Sequence, residues 1–360
     1  MEHSPSPGVK RAGNFMNKSI RRLISRLALA FAVSVGAFHI ANAEEIACAG
    51  KYLIPQIERE NPEIARQMYA EAAATLYGKG LIWKIEKDGR RPSYLFGTIH
   101  LSDPRLLKLK PAAQQAFDTS DTLALEITEL LDPNKMAGVA FSAFQYTTYT
   151  DGTTLTDKLS EPQQKALTAA VEKKLGLPWS VAQKMKPWTL MGTLGVPACE
   201  MARKKLQKPI VDTYLGQMAQ TQGKQIVALE TMISQLKAMD GLPESESLNG
   251  LMQTVTLGPR LEDLFETMIL LYSKEETALI WAMMRRVSED GFAAAQDHSQ
   301  YAEFQRDIVH RRNHTMVQEA EKHIANGSVF IAVGALHLPG EQGMVNILAQ
   351  KGYRLSRVTQ

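Results

Sequence analysis

The sequence predicts an α/β protein: a mixed central sheet with a large helical insertion between the strands that carry its polar motifs. Three observations predict it. Ser93-Tyr-Leu-Phe-Gly-Thr-Ile-His100 and Val329-Phe-Ile-Ala-Val-Gly-Ala-Leu-His337 are apolar, β-prone runs, each leading into Gly-x-x-His. Thr122-Leu-Ala-Leu-Glu126 and Gln225-Ile-Val-Ala-Leu-Glu230 are short apolar runs that each end in Ala-Leu-Glu, and continuous apolar runs are how buried parallel strands read. Most of the chain between these four stretches has helical spacing.

Residues 18–43 read as an export signal. Lys18, Arg21, Arg22 and Arg26 make a basic start, Leu27 to Phe38 an uninterrupted small and apolar run, and Ala41-Asn42-Ala43 a cleavage site. The run is shorter than the about 20 apolar residues needed to span a bilayer. Residues 1–43 are therefore predicted to be removed, translation starting at Met1 or Met16, and the mature chain to lie in the periplasm or outside the cell. Two cysteines, Cys48 and Cys199, survive that cleavage. In an oxidising compartment they are candidates for one disulfide, with two free buried thiols as the alternative.

Residues 44–79 form an N-terminal helical segment, in which Pro55 and Pro62 start or break helices. Residues 80–360 form the main domain. Leu81 to Lys87 alternates in part like an antiparallel strand, and Asp88-Gly-Arg-Arg-Pro92 turns it into the first His run. Pro111 opens a helix through Phe117, ahead of the first Glu run. Residues 129–222 form the mainly helical insertion: Ser160 caps a helix with Leu167, Val171 and Leu175 on one face, and Val211 to Gln220 is another helix. Residues 231–326 are helical again, interrupted at Gly241 to Pro243 and Thr256 to Pro259. A last long helix over about 299–325 stops at Asn326-Gly327, before the second His run. Glu341 to Gln350 is a further helix, and Tyr353 to Val358 an edge strand.

Composition narrows the function classes. The chain has 44% hydrophobic and 22% charged residues, an ordinary globular balance. Removing residues 1–43 leaves 35 Lys and Arg against 37 Asp and Glu, so the basic character belongs to the signal and nucleic acid is not the implied partner. No G-x-S-x-G, G-x-G-x-x-G or Walker A loop is present, which disfavours a serine hydrolase and nucleotide cofactors.

Gly-x-x-His alone is weak, since 24 glycines and 8 histidines give roughly half an occurrence by chance, and a third copy, Gly36-Ala-Phe-His39, falls in the signal. Shared context strengthens it. Two His and two Glu at equivalent strand ends would meet on one sheet edge, where open α/β sheets place their chemistry. His100, Glu126, Glu230 and His337 are thus the candidate site. Two imidazoles and one carboxylate leave open positions on zinc, manganese or iron, and the second carboxylate is placed to take a proton from an activated water. His310 and His314 are a rival pair at i, i+4, but Arg311 stands where H-E-x-x-H needs its glutamate, so a solvated basic face fits them better. Arg312 either points at a developing oxyanion or makes a surface ion pair with Asp307 or Glu303.

At these residues the chain resembles the TraB/GumN family, whose relatives include the Tiki metalloproteases. The resemblance rests on Tyr-Leu-Phe-Gly-Thr-Ile-His100, Ala-Leu-Glu126, Val-Ala-Leu-Glu230-Thr231, Arg312-Asn313 and Val-Gly-Ala-Leu-His337, and covers about residues 80–358. It implies a divalent-metal hydrolase with His100 and His337 as ligands and Glu126 or Glu230 as ligand or base. Tiki-like members cleave peptides and prefer manganese or cobalt to zinc; GumN-like members are associated with exopolysaccharide clusters.

The resulting expectation is an exported hydrolase of peptide or related amide bonds. His100, Glu126 and His337 hold a Mn, Co or Zn ion, Glu230 activates the water, Arg312 assists, and no stable membrane span remains. The alternatives are a non-enzymatic metal or haem carrier, an accessory factor of polysaccharide export, or a protein-binding module with a vestigial site.

Overall fold

The computed structural model describes residue 1 and residues 46, 48–87, 89–288, 291–292 and 303–359. The chain divides into two compact units, residues 1–46 and 47–360, and the sheet and its helices belong to the second. The predicted signal, residues 1–43, lies outside the described residues. So do residues 299–302, the expected start of the last long helix.

Eight strands are present among the described residues: β1 Ile82–Glu86, β2 Ser93–Thr98, β3 Thr122–Leu125, β4 Gln225–Ala228, β5 Val287–Ser288, β6 Gly291–Phe292, β7 Val329–Gly334 and β8 Arg354–Arg357. Strands β5 and β6 pair only with each other; the other six form one mixed sheet in the order β4-β3-β7-β2-β1-β8. The β1–β2 hairpin and the β1–β8 pair are antiparallel. The four motif-bearing strands are consecutive and parallel, with Thr98 beside Gly334, Leu125 beside Ala332, and Leu125 beside Ala228. In-register parallel strands end together, so the residues immediately after each of them collect on one carboxyl edge.

Alternation along the strands separates two faces. Phe96, Leu123, Leu125, Phe330 and Ala332 face a core completed by the helices Ile54–Glu60, Pro62–Ala74, Pro111–Thr119, Val211–Thr221, Leu261–Ser273 and Thr277–Met284. Leu95, Ala124, Val329, Ile331 and Val333 face the helices Arg311–Ile324 and Met344–Gln350. The N-terminal helical pair is thus part of the main core. Phe330 is fully buried, with the Phe117 ring edge-on at 5.4 Å and the Phe96 ring at 5.5 Å.

The helical region has its own small core of Leu155, Leu167, Val171, Ala182, Leu190, Leu194 and Leu251. Leu251 belongs to the Glu244–Thr256 helix, so this cluster draws on chain from both sides of β4. The expected long helix near the C-terminus is not uniform. Gln305–His310 is a wide π-helical turn, and the α-helix runs from Arg311 to Ile324.

Cys48 and Cys199 form a disulfide across a sequence separation of 151, a loop whose closure contributes roughly 5 kcal/mol in the chain-entropy model. The Ala198–Lys205 helix that carries Cys199 also supports the segment after His100: Glu200 accepts from the Ser102 amide at 2.5 Å and Arg203 pairs with Asp103 at 3.1 Å. No helix among the described residues is long and apolar enough to cross a membrane.

Phe330→Ala removes the ring that joins three apolar elements under the site. The expected loss is about 3–5 kcal/mol, read as a lowered denaturation midpoint with an unchanged m-value.

Candidate metal centre

The two Gly-x-x-His motifs leave adjacent strands. Their glycines allow the close approach: a Cβ on Gly97 would stand 2.7 Å from Leu338 Cδ1 and 2.9 Å from Ala335 Cα, both in the second motif's loop. A Cβ on Gly334 would stand 3.3 Å from Glu126 Oε1 and 3.7 Å from His100 Nε2. Glu126 follows β3, and its Oε1 lies 4.0 Å from His100 Nε2 and 3.8 Å from His337 Nε2. His100, Glu126 and His337 therefore meet at one point.

Glu126 is 4% exposed, and a buried carboxylate needs partners. Its Oε1 accepts from the Gly334 amide at 2.6 Å; its Oε2 accepts from Arg312 Nη2 at 2.7 Å and Gln235 Nε2 at 3.0 Å. Arg312 Nη2 also donates to Glu230 Oε1, which Gln235 Nε2 reaches at 3.0 Å. Arg312 thus points inward as a bridge between two carboxylates, while Arg306 and Arg311 pair with Asp307 outside. Among the described residues Glu230 is linked to Glu126, rather than to an imidazole, through Arg312 and Gln235. The π-helical turn helps aim the guanidinium, since Arg312 Nη1 donates to Ile308 O at 3.1 Å. His314 is exposed and bonded to Gln342, at 2.9 Å.

The far nitrogen of each ring is anchored. His100 Nδ1 lies 2.8 Å from Asp212 Oδ2, and Thr98 Oγ1 donates to Asp212 Oδ1 at 2.8 Å. His337 Nδ1 lies 2.5 Å from Asn313 Oδ1, and Asn313 Nδ2 donates to Gln342 O at 2.7 Å, which turns the amide oxygen toward the ring. Helical spacing alone places Asp212 in a helix without marking it as part of the site. It carries a signal nonetheless: Asp212, Leu215, Gly216 and Ala219 form one buried stripe, as do Asn313, Met316, Val317, Ala320 and Ile324. A polar residue heading an apolar stripe at i, i+3, i+4, i+7 is aimed into the core. Gln235 has no such mark.

The charges follow from these contacts. Asp212 beside His100 lifts that imidazole to about 9, although the ring is 56% exposed. Burial pushes His337 down to about 4. Burial alone would raise Glu126, but His337, His100, Arg312 and the Gly334 amide outweigh it and hold the carboxyl at about 2.

Two imidazole nitrogens facing one carboxylate oxygen, each ring anchored by its other nitrogen, is donor chemistry that fits a divalent ion. Among the described residues, no group of three or more His, Cys, Asp or Glu side chains meets the geometry of a metal site. The Nε2 to Oε1 separations of 4.0 and 3.8 Å are wider than the about 3–3.5 Å between two ligands of one ion. The donor set fits; small side-chain movements would have to draw it together.

The two rings predict opposite pH behaviour in the metal-free protein. His337 is neutral when folded, so its contribution to stability falls as pH drops from the ordinary value of about 6.5 toward about 4. His100 contributes fully below that ordinary value, and its contribution is lost as pH rises toward about 9. Imidazole NMR titration is expected to show His100 protonated above pH 7 and His337 neutral there, with Asp212→Asn returning His100 toward its ordinary value.

Known proteins place this arrangement in context. The TraB/PrgY/gumN family profile matches residues 81–357, which include all four motif strands. Metalloprotease TIKI2 of Danio rerio is 23% identical over 308 residues, covering 73% of this chain and 58% of its own length. Metalloprotease TIKI1 of Danio rerio is 25% identical over 319 residues, covering 76% of this chain and 62% of its own. The chain thus spans less than two thirds of these relatives. No solved structure matches. With the matched region running from β1 to β8 and containing every residue of the polar centre, the chain belongs to the TraB/PrgY/gumN family.

Proposed function

We propose that the protein is an exported, divalent-metal-dependent hydrolase of peptide or related amide bonds. One observation carries this: the Nε2 atoms of His100 and His337 face the same oxygen of Glu126 at the carboxyl edge of parallel strands. The distant relatives named metalloproteases support a peptide substrate. The export signal predicted for residues 1–43 and the Cys48–Cys199 disulfide support a periplasmic or secreted location.

His100, His337 and Glu126 would hold a Mn, Co or Zn ion. Bound there, the ion supplies Lewis-acid chemistry, polarising the scissile carbonyl and making a water more acidic. Asp212 keeps a proton on His100 Nδ1, and Asn313 Oδ1 accepts one from His337 Nδ1, so both Nε2 atoms are the donor ends. His100 must first release its Nε2 proton, which makes metal affinity rise with pH.

Glu230 is the proposed base, and its two oxygens are unequal. Oε1 accepts from Arg312 Nε, Arg312 Nη2 and Gln235; among the described residues, Oε2 accepts from Arg312 Nε alone, at 3.2 Å. Oε2 is therefore the oxygen that takes the proton of the attacking water as the water oxygen bonds to the carbonyl carbon. It returns that proton to the amine nitrogen as the C–N bond breaks. Arg312 orients the carboxylate, and its positive charge would favour negative charge developing on a carbonyl oxygen bound beside Glu126.

The test uses purified, metal-stripped protein, manganese, cobalt or zinc, and a peptide library. Glu230→Gln is expected to keep metal binding and lose about 10²- to 10⁴-fold in cleavage. Asn313→Ala is expected to weaken metal binding about 10- to 100-fold. Metal binding by the wild type with no cleavage of any peptide would favour the carrier reading instead.

A further inference from the structure

We propose that the pocket beside His100 and Glu126 selects substrates with an apolar side chain next to the scissile bond, a specificity that rests on the peptide-hydrolase reading. The pocket holds about 200 Å³. Its walls are Leu125, Ile127, Leu130, Leu131, Ile210 and Met232, and its polar groups, His100, Glu126, Asp212, Thr213 and Gln235, come from or adjoin the candidate centre.

The same segments build the pocket and the centre, and this ties the occupant to the chemistry. Strand β3 ends in Leu125 and continues through Glu126 into Ile127, Leu130 and Leu131. The Met232–Asp240 helix turns Met232 into the pocket, while Gln235, one turn on, bonds Glu126 and Glu230. The Val211–Thr221 helix carries both Asp212, which anchors His100, and Gly216, where a Cβ would stand 2.4 Å from Leu131 Cδ2. That glycine lets Leu131 lie close against the helix and form the pocket wall.

An occupant therefore meets apolar carbon along one side and two of the proposed metal ligands, His100 and Glu126, at the other. A peptide offers that combination: a carbonyl for the polar end and, one bond away, a side chain for the apolar walls. Leu, Met and Phe side chains gain from burial there, whereas Glu and Lys lose hydration. Gly leaves the cavity unfilled. Leu130, 40% exposed, marks the rim.

The test compares peptides Ac-Ala-Ala-X-Ala-Ala-NH₂, with X as Gly, Ala, Leu, Met, Phe, Glu or Lys, in binding and in metal-dependent cleavage by the purified protein. With X as Leu, Met or Phe, affinity is expected to exceed that for Gly by about 10- to 100-fold. The same peptides should shift the methyl NMR signals of Ile127, Leu130 and Ile210, and cleavage should occur beside X. Ile210→Trp, which fills the cavity, and Leu130→Glu, at the exposed rim where folding tolerates it, should each bring the Leu peptide down to the Gly level. Equal affinities for every X, or methyl shifts elsewhere, overturn the pocket assignment whether or not peptides are cleaved. Selective binding with no cleavage overturns the hydrolase reading and leaves the pocket's preference standing.

Discussion

A single buried negative charge organises this site. Glu126 ends an interior strand, and an uncompensated carboxylate there would cost several kcal/mol. The compensation comes from three directions: the Gly334 amide, Gln235 and Arg312. Arg312 brings a full charge of its own, balanced by Glu230. Two carboxylates sharing one guanidinium explain why both Ala-Leu-Glu runs end at the same sheet edge. They also leave the Oε1 side of Glu126 for the imidazoles.

The supports of the two histidines differ in kind. His100 leans on a carboxylate, Asp212, and keeps a half-exposed ring that tends toward the charged form. His337 leans on a neutral amide, Asn313, and is buried and uncharged. In the proposed hydrolase, His337 would be ready as a donor at neutral pH, whereas His100 would exchange a proton for the ion. The Cys48–Cys199 bridge reaches the same neighbourhood indirectly. The helix that carries Cys199 also grips Ser102 and Asp103, just after His100. The small helical core around Leu167 and Leu190 contributes none of the residues that meet at Glu126.

Much of this was legible in the chain because the motif strands carry local signals. Apolar runs ending in Gly-x-x-His or Ala-Leu-Glu mark buried parallel strands, and β2, β3, β4 and β7 begin and end close to where those runs do. The N-terminal helical pair and the β1–β2 hairpin were equally readable from proline positions and alternation. Less legible were the partners. Asp212 and Asn313 could be found by asking which polar residues head apolar helical stripes, but Gln235 has no local feature that distinguishes it. The π-helical turn before Arg311 also escaped, since the helical spacing around it continues.

By itself, the sequence determined the α/β class, the four strand ends and their His and Glu residues, because period and turn chemistry are local properties. Strand order was a tertiary matter. Placing β7 between β3 and β2 brings residues more than 200 positions apart into one cluster, and nothing in either run alone specifies its neighbour. Tertiary structure also decided that Arg312 turns inward and that it and Gln235 link Glu230 to Glu126. That choice depends on where a buried charge finds its counter-charge, a balance set by the folded packing of several elements at once.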